Sequence, residues 1–320
     1  MTDQADRLRE LMRLNRREPV PAPVASDTQP EDHQQSVGVE ALVPETPVTF
    51  ADFQSRVLVV TSGKGGVGKT NVTVNLALAL SKQNKRTILF DADLGMANVD
   101  VILGVSPKAS LVDVMEGKKT LTDILVKVND YLEIVPGGSG MQELANLDQK
   151  ALDGFLIGLR ELEHRADFIL VDTGAGISRA VLNFVLAATE VLVVTTPEPT
   201  AITDAYGLIK VIDQHNPSAC VHLLVNMAET EHEARSVAQK LIMIVDRFLE
   251  IEVRYLACLE RDPHVVRAVL QQQPFYLAFP NGPATRRINS LANLLINDGA
   301  IQAPESQSGG FFQRLARLFR

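Results

Sequence analysis

The sequence predicts a doubly wound α/β domain, a mostly parallel sheet with helices on both faces. Two observations predict it. Short apolar, β-branched runs recur across residues 56–296 with little polar alternation, as strands buried on both faces require. Stretches of helical period separate them, so strand, helix and strand follow one another as parallel crossovers do. No linker-like segment interrupts this stretch of about 240 residues, which makes it one domain rather than two.

The elements follow in chain order. Residues 1–18 read as a short helix, with Leu8, Leu11 and Met12 at helical spacing among Arg7, Arg9, Glu10, Arg13, Arg16 and Arg17. Residues 19–52 read as a disordered tether. From Pro19 to Phe50 there are six prolines and no lysine or arginine, too little apolar surface to offset the ordering entropy. The domain itself is expected over 53–298. Its strands are expected at 57–60, 87–90, 132–135, 168–171, 191–194 and 221–225, with a seventh around 253–259. Helical period is clearest over 72–82 and 234–248. A polar linker, 299–310, carries Pro304, Gly309 and Gly310.

The last ten residues, 311–320, form an amphipathic pattern. Phe311, Phe312, Leu315, Leu318 and Phe319 fall at i, i+1, i+4, i+7 and i+8, flanked by Arg314, Arg317 and Arg320. That stripe suits a helix lying in an anionic membrane surface. It also suits a helix docked on the core.

Composition excludes several functions. Thirty-one basic against thirty-nine acidic side chains give a net charge of -8, so no direct nucleic-acid binding is expected. The two cysteines, Cys220 and Cys258, stand alone in apolar runs without a CxxC pair. A zinc site, an iron–sulfur site or a disulfide framework is therefore not expected. The chain opens on a charged segment rather than an apolar signal core, and no run of about 18 apolar residues occurs. The expectation is a soluble, cytoplasmic chain.

Residues Gly63, Lys64, Gly65, Gly66, Val67, Gly68, Lys69 and Thr70 match G-x-x-x-x-G-K-[ST], placed between an expected strand and an expected helix. Glycines let backbone N–H groups converge on phosphate oxygens, and the helix N-terminus adds a favourable dipole. Lys69 is expected to reach the β- and γ-phosphates, and the Thr70 hydroxyl to ligate Mg²⁺. The pattern predicts a P-loop that binds a nucleoside triphosphate with Mg²⁺.

Lys64 narrows this further. A second lysine at the start of the loop resembles the deviant Walker A motif, K-G-G-x-G-K-T, of the MinD/ParA family. The resemblance implies ATP as the nucleotide and a homodimer in which each Lys64 reaches the partner's nucleotide. Two acidic strand ends, Asp91-Ala92-Asp93-Leu94-Gly95 and Asp172-Thr173-Gly174-Ala175-Gly176, resemble the family's two switch segments. By that resemblance Asp93 orients the attacking water and Asp172 holds Mg²⁺ through its water shell; an Asp capping the next helix is the plainer reading of either position. Asn226 stands where the family places an asparagine that reads the adenine edge. A turn residue is its plainer reading.

Three further segments resemble one branch, the flagellar-number regulators of the FlhG or FleN type. The N-terminal Asp3-Gln4-Ala5-Asp6-Arg7-Leu8-Arg9 resembles their D-Q-A-x-x-L-R motif. The run 197–206, PEPTAITDAY, resembles their E-P-T-x-I-T-D-A-Y, and 91–100 resembles their first switch. The resemblance implies that Asp3, Gln4, Ala5, Leu8 and Arg9 engage the SRP-type flagellar GTPase FlhF, with Arg9 supporting that partner's GTPase site. The 32 tether residues from Pro19 to Phe50 span roughly 30 Å r.m.s. and suit such an arm. Switch-complex proteins and a flagellar transcription activator are further partners by resemblance. The implied cycle is slow ATP hydrolysis with peripheral, polar attachment to the cytoplasmic face of the inner membrane. A division-site MinD-type ATPase and an ATP-locked scaffold with negligible turnover are the competing readings.

Overall fold

The computed structural model describes residues 55–93, 98–137, 158–297 and 310–319. The expected N-terminal helix, the tether, linker residues 299–309 and the arm residues Asp3, Gln4, Ala5, Leu8 and Arg9 lie outside the described residues.

The described strands are β1 (Arg56–Ser62), β2 (Thr87–Ala92), β3 (Val126–Asn129), β4 (Leu132–Val135), β5 (Phe168–Ala175), β6 (Glu190–Thr195), β7 (Cys220–Ala228) and β8 (Val253–Glu260). They form one sheet in the order β3-β4-β2-β5-β1-β6-β7-β8. Every pairing is parallel except β3 with β4. The seven strands expected from apolar runs are present, and β3 adds an antiparallel edge. Its side chains alternate half-buried and exposed over only four residues, so it leaves no apolar run.

Period-2 alternation splits the core into two layers. Val57, Val59, Ile88, Phe90, Ile169 and Val171 face one side; Leu58, Val60, Leu89, Phe168 and Leu170 face the other. The second side is covered mainly by α1 (Lys69–Lys82) and a later helix, 283–297. Between these, in chain order, come α2 (Val99–Leu103), α3 (Leu111–Met115), α4 (Arg179–Ala187), α5 (Pro199–His215), α6 (Glu231–Phe248), α7 (Pro263–Leu270) and α8 (Phe275–Ala278). The helix over 283–297 is α9 (Pro283–Asn297), and α10 (Phe311–Phe319) closes the chain. α4, α5, α6 and α10 cover the first side. Burying each such Val or Leu contributes about 1.5–3 kcal/mol, so both layers hold the sheet.

Parallel pairing sends the C-terminal ends of β1, β2 and β5 to one edge, and β1 lies between β5 and β6. That edge, where loops leave the central strands, is where α/β sheets bind ligands. The opposite edge is closed by ion pairs. Arg56 Nε donates to Glu190 Oε1 at 2.8 Å and its Nη2 to Oε2 at 2.7 Å, tying β1 to β6. His222, buried on β7, places Nε2 3.5 Å from Glu190 Oε2.

The C-terminal stripe packs inward. Phe311, Phe312 and Leu315 are buried in the core, Leu318 is half-buried against it, and the Phe319 side chain lies outside the described residues. Phe312 meets Phe90 of β2 with ring centroids 6.2 Å apart. The Glu163 carboxylate caps the helix, Oε1 accepting the Phe312 N–H at 2.9 Å, and Arg314 Nε donates to Ala187 O at 2.8 Å. In this conformation the apolar face belongs to the fold, and meeting a membrane requires it to undock.

Candidate active site

The loop from Ser62 to Thr70 joins β1 to α1, as expected. Its shape depends on glycine at two places. Gly68 caps α1 at φ 85°, a left-handed conformation that costs other residues energy. A Cβ on Gly63 would stand 2.3 Å from the Asp204 backbone, so the loop packs directly on α5. The first turn of α1 therefore points its N–H groups at the ligand edge.

Lys69 is buried, and its Nζ donates to Asp172 Oδ1 at 2.9 Å. Thr73 Oγ1, one turn further along α1, lies 3.0 Å from the same oxygen and 2.9 Å from the Lys69 carbonyl, so its one proton can serve either. Asp172 Oδ2 is buried without a hydrogen-bond partner. A buried carboxylate oxygen left open next to Lys69, the residue before Thr70, fits a hard cation such as Mg²⁺. Among the described residues no group of three His, Cys, Asp or Glu side chains could hold a metal alone.

The two switch segments meet here. Asp91 pairs with Asp172 across β2 and β5. Burial pushes the Asp91 carboxyl up to about 7, with the Asp172 charge adding to the rise against N–H groups of Asp93 and Val99. A Cβ on Gly174 would lie 3.5 Å from Asp93 Oδ1, so Asp93 sits beside the second switch. Residues 94–97 of the first switch lie outside the described residues.

Lys64 turns toward its own chain. Its Nζ donates to Glu198 Oε2 at 2.8 Å and to Thr200 Oγ1 at 2.9 Å, at the start of α5. Asn226, at the end of β7, sits under the loop, its Nδ2 donating to Val67 O at 2.8 Å. Beyond it, Glu260, Arg261, Asp262, His264 and Arg287 line a cleft of about 250 Å³ at the end of β8. Asp262 itself caps α7, accepting the His264 N–H at 2.9 Å.

The structure thus brings Gly63, Lys64, Gly65, Gly66, Val67, Gly68, Lys69, Thr70, Asp93, Asp172 and Asn226 to one sheet edge. Sequence reasoning missed Thr73, Glu198 and Thr200. Thr73 had a signal: four residues after Lys69, it shares that lysine's helix face.

Residues 54–296 match the ParA family model, described as "NUBPL iron-transfer P-loop NTPase". The antiactivator FleN of Pseudomonas aeruginosa is 41% identical over 262 residues, 82% of this chain and 94% of that protein. The chain belongs to the MinD/ParA family of P-loop NTPases. A second family member, the flagellum site-determining protein YlxH of Helicobacter pylori, is 33% identical over 280 residues, 85% of this chain and 94% of its own length. Among solved structures, the septum site-determining protein MinD of Pyrococcus horikoshii, complexed with Mg-ADP, superposes with a TM-score of 0.63 at 26% identity. It covers 78% of this chain and 99% of that one. Family members of this kind hydrolyse ATP, and the orphaned Asp172 oxygen agrees with a magnesium nucleotide at this edge.

Proposed function

We propose that this chain is a slow ATP-hydrolysing switch that limits the number and placement of flagella. The observation carrying it is the joint presence of Lys64 in the phosphate loop and two flagellar regulators among its relatives. Lys69 exchanges its contact with Asp172 for phosphate oxygens, which frees the carboxylate to face the cation beside Thr70. Thr70 and Asp172 would hold Mg²⁺ there, and the cation would supply positive charge against the phosphate chain. Asp93 orients the attacking water, and Gly174 lets the second switch come close. Lys64 leaves Glu198 and reaches the partner subunit's nucleotide in a closed homodimer.

The same closure releases α10. Its stripe rests on α4, which follows the second switch, and on Phe90, which precedes Asp91, so both switch segments adjoin its seat. Two released helices bind an anionic inner-membrane surface better than one, through effective concentration. The N-terminal arm, through Arg9, engages the flagellar GTPase FlhF. Switch-complex proteins and a flagellar transcription activator complete the partner set.

Counting flagella by electron microscopy in cells lacking the chain tests the reading. Many polar flagella with normal division is the expected result. Normal flagella with minicells would replace it by a MinD-type role in division, a reading that the similarity to MinD structures keeps open.

A further inference from the structure

We infer that Asn226 is a positioning residue for the phosphate loop, locking the Val67–Gly68 turn before any nucleotide arrives. The inference rests on the nucleotide reading of this edge and adds a role that base recognition alone does not require.

Four observations converge on it. Asn226 is buried, and its Nδ2 donates to Val67 O, a carbonyl of the loop itself, at 2.8 Å. Its Oδ1 accepts the Met227 N–H at 2.9 Å. Gly68 lies so close that a Cβ there would stand 2.5 Å from Asn226 Nδ2 and 3.3 Å from the Met227 side chain. The β7–β8 register shifts between Asn226 and Ala228, and Met227 adopts φ 58°.

The last pair is the informative one. A left-handed methionine is a costly way to leave a strand, and such outliers persist where the surroundings demand them. A bulge at a strand end re-aims the side chain beside it. Here the re-aimed side chain is Asn226, and what it meets is the loop. The amide holds the left-handed Met227 through its oxygen and the Val67 carbonyl through its nitrogen, so bulge and loop are one mechanical unit. Gly68 at φ 85° completes the fit, since no larger residue leaves room for the amide. A side-chain amide carries two N–H donors, so one bond to Val67 leaves a second for a base. Base contact and loop geometry then share one residue, and Asn226 shapes phosphate binding even for a ligand with no base.

Hydrogen–deuterium exchange of the full chain without nucleotide tests this directly. Asn226→Ala, and Asn226→Asp, which keeps an acceptor for Met227 but lacks the donor to Val67, should each speed exchange in residues 66–70. About fivefold is expected, the equilibrium equivalent of one hydrogen bond, with β1 and β5 unchanged as the folding control. Unchanged loop exchange in both variants overturns the inference. Magnesium tripolyphosphate, which has no base, supplies the second readout by calorimetry. Asn226→Ala should weaken tripolyphosphate about fivefold, and Mg-ADP at least as much, since the nucleotide also loses the base contact. Loss confined to Mg-ADP overturns the positioning role while leaving the nucleotide reading intact. A wild-type chain that binds neither ligand overturns both.

Discussion

Lys64 Nζ lies 2.8 Å from Glu198 Oε2, so the lysine that family resemblance sends to a partner is tied within its own chain. The two side chains are 39% and 61% exposed, and a pair so open to water is weak. It is a parking place rather than a lock. On the proposed reading, opening it leaves a lysine free for the partner's nucleotide, and a closed dimer need only compete with a solvated contact.

Glu198→Ala should therefore favour closure. With a non-hydrolysable ATP analogue, sedimentation velocity should show dimer at up to roughly fivefold lower protein concentration, the range of a surface ion pair. Lys64→Ala should show the opposite, with turnover lost. A Lys64→Ala chain that dimerises and hydrolyses normally would remove the trans role.

Thr73 should matter to the cation more than to the nucleotide. Its single hydroxyl proton lies within reach of both the Lys69 carbonyl, at 2.9 Å, and the Asp172 oxygen that also holds Lys69, at 3.0 Å; given to Asp172, it fixes the rotation of the carboxylate and the direction of Oδ2. Thr73→Val keeps the shape and removes the donor. Magnesium titration of ATP turnover should shift to about tenfold higher concentration, the usual effect of removing a partner that orients a ligand. Nucleotide affinity without magnesium should stay nearly unchanged. A uniform loss of both would make Thr73 a packing residue.

These two contacts differ in how well a sequence could show them. Lys69 and Thr73 share a helix face, so their convergence follows from helical period. Lys64 and Glu198 are 134 residues apart and meet only because β1 and β6 are neighbours. The central strands were legible because burial on both faces leaves unbroken apolar runs, whereas β3, four residues with one face exposed, left none. The P-loop was legible because phosphate binding restricts residue type at fixed spacing. The seat of α10 was not. An amphipathic stripe reports that something apolar covers it, and lipid or protein satisfies that equally.

The cap on α10 supplies a third test. Glu163 is buried, accepts the Phe312 N–H, and sits where a Cβ on Gly310 would stand 2.0 Å from its Oε2. A helix of nine residues is marginal by itself, so its seat and its cap must hold it together. Losing an N-cap costs about 1 kcal/mol, and Gly310→Ala should force the carboxylate away as Glu163→Ala removes it. Both variants should let trypsin cleave after Arg314, half-buried in the docked helix, several-fold faster, and should bind anionic liposomes without ATP. A chain ending at Gly310 should bind none. Unchanged cleavage in both variants would show that the apolar seat alone holds the helix.

The last test concerns the far edge of the sheet and uses pH. Burial disfavours the His222 imidazolium, whose Nδ1 has no partner among the described residues, but the contacts of Nε2 with Cys220 Sγ at 3.7 Å and Glu190 Oε2 at 3.5 Å outweigh it and push its pKa up to about 9. The ordinary value is 6.5. A cation favoured by the fold stabilises it fully below the unfolded value, and the contribution disappears as pH rises through the folded one. Urea unfolding should thus weaken progressively between pH 6.5 and 9, by about 3 kcal/mol at most once His222 is neutral. His222→Gln should flatten that slope. The Arg56–Glu190 pair persists across the range, because the arginine keeps its charge and the Glu190 carboxyl is held below its usual range. A wild-type profile that stays level from pH 6.5 to 9 would mean that His222 is neutral in the fold, with Glu190 answered by Arg56 alone.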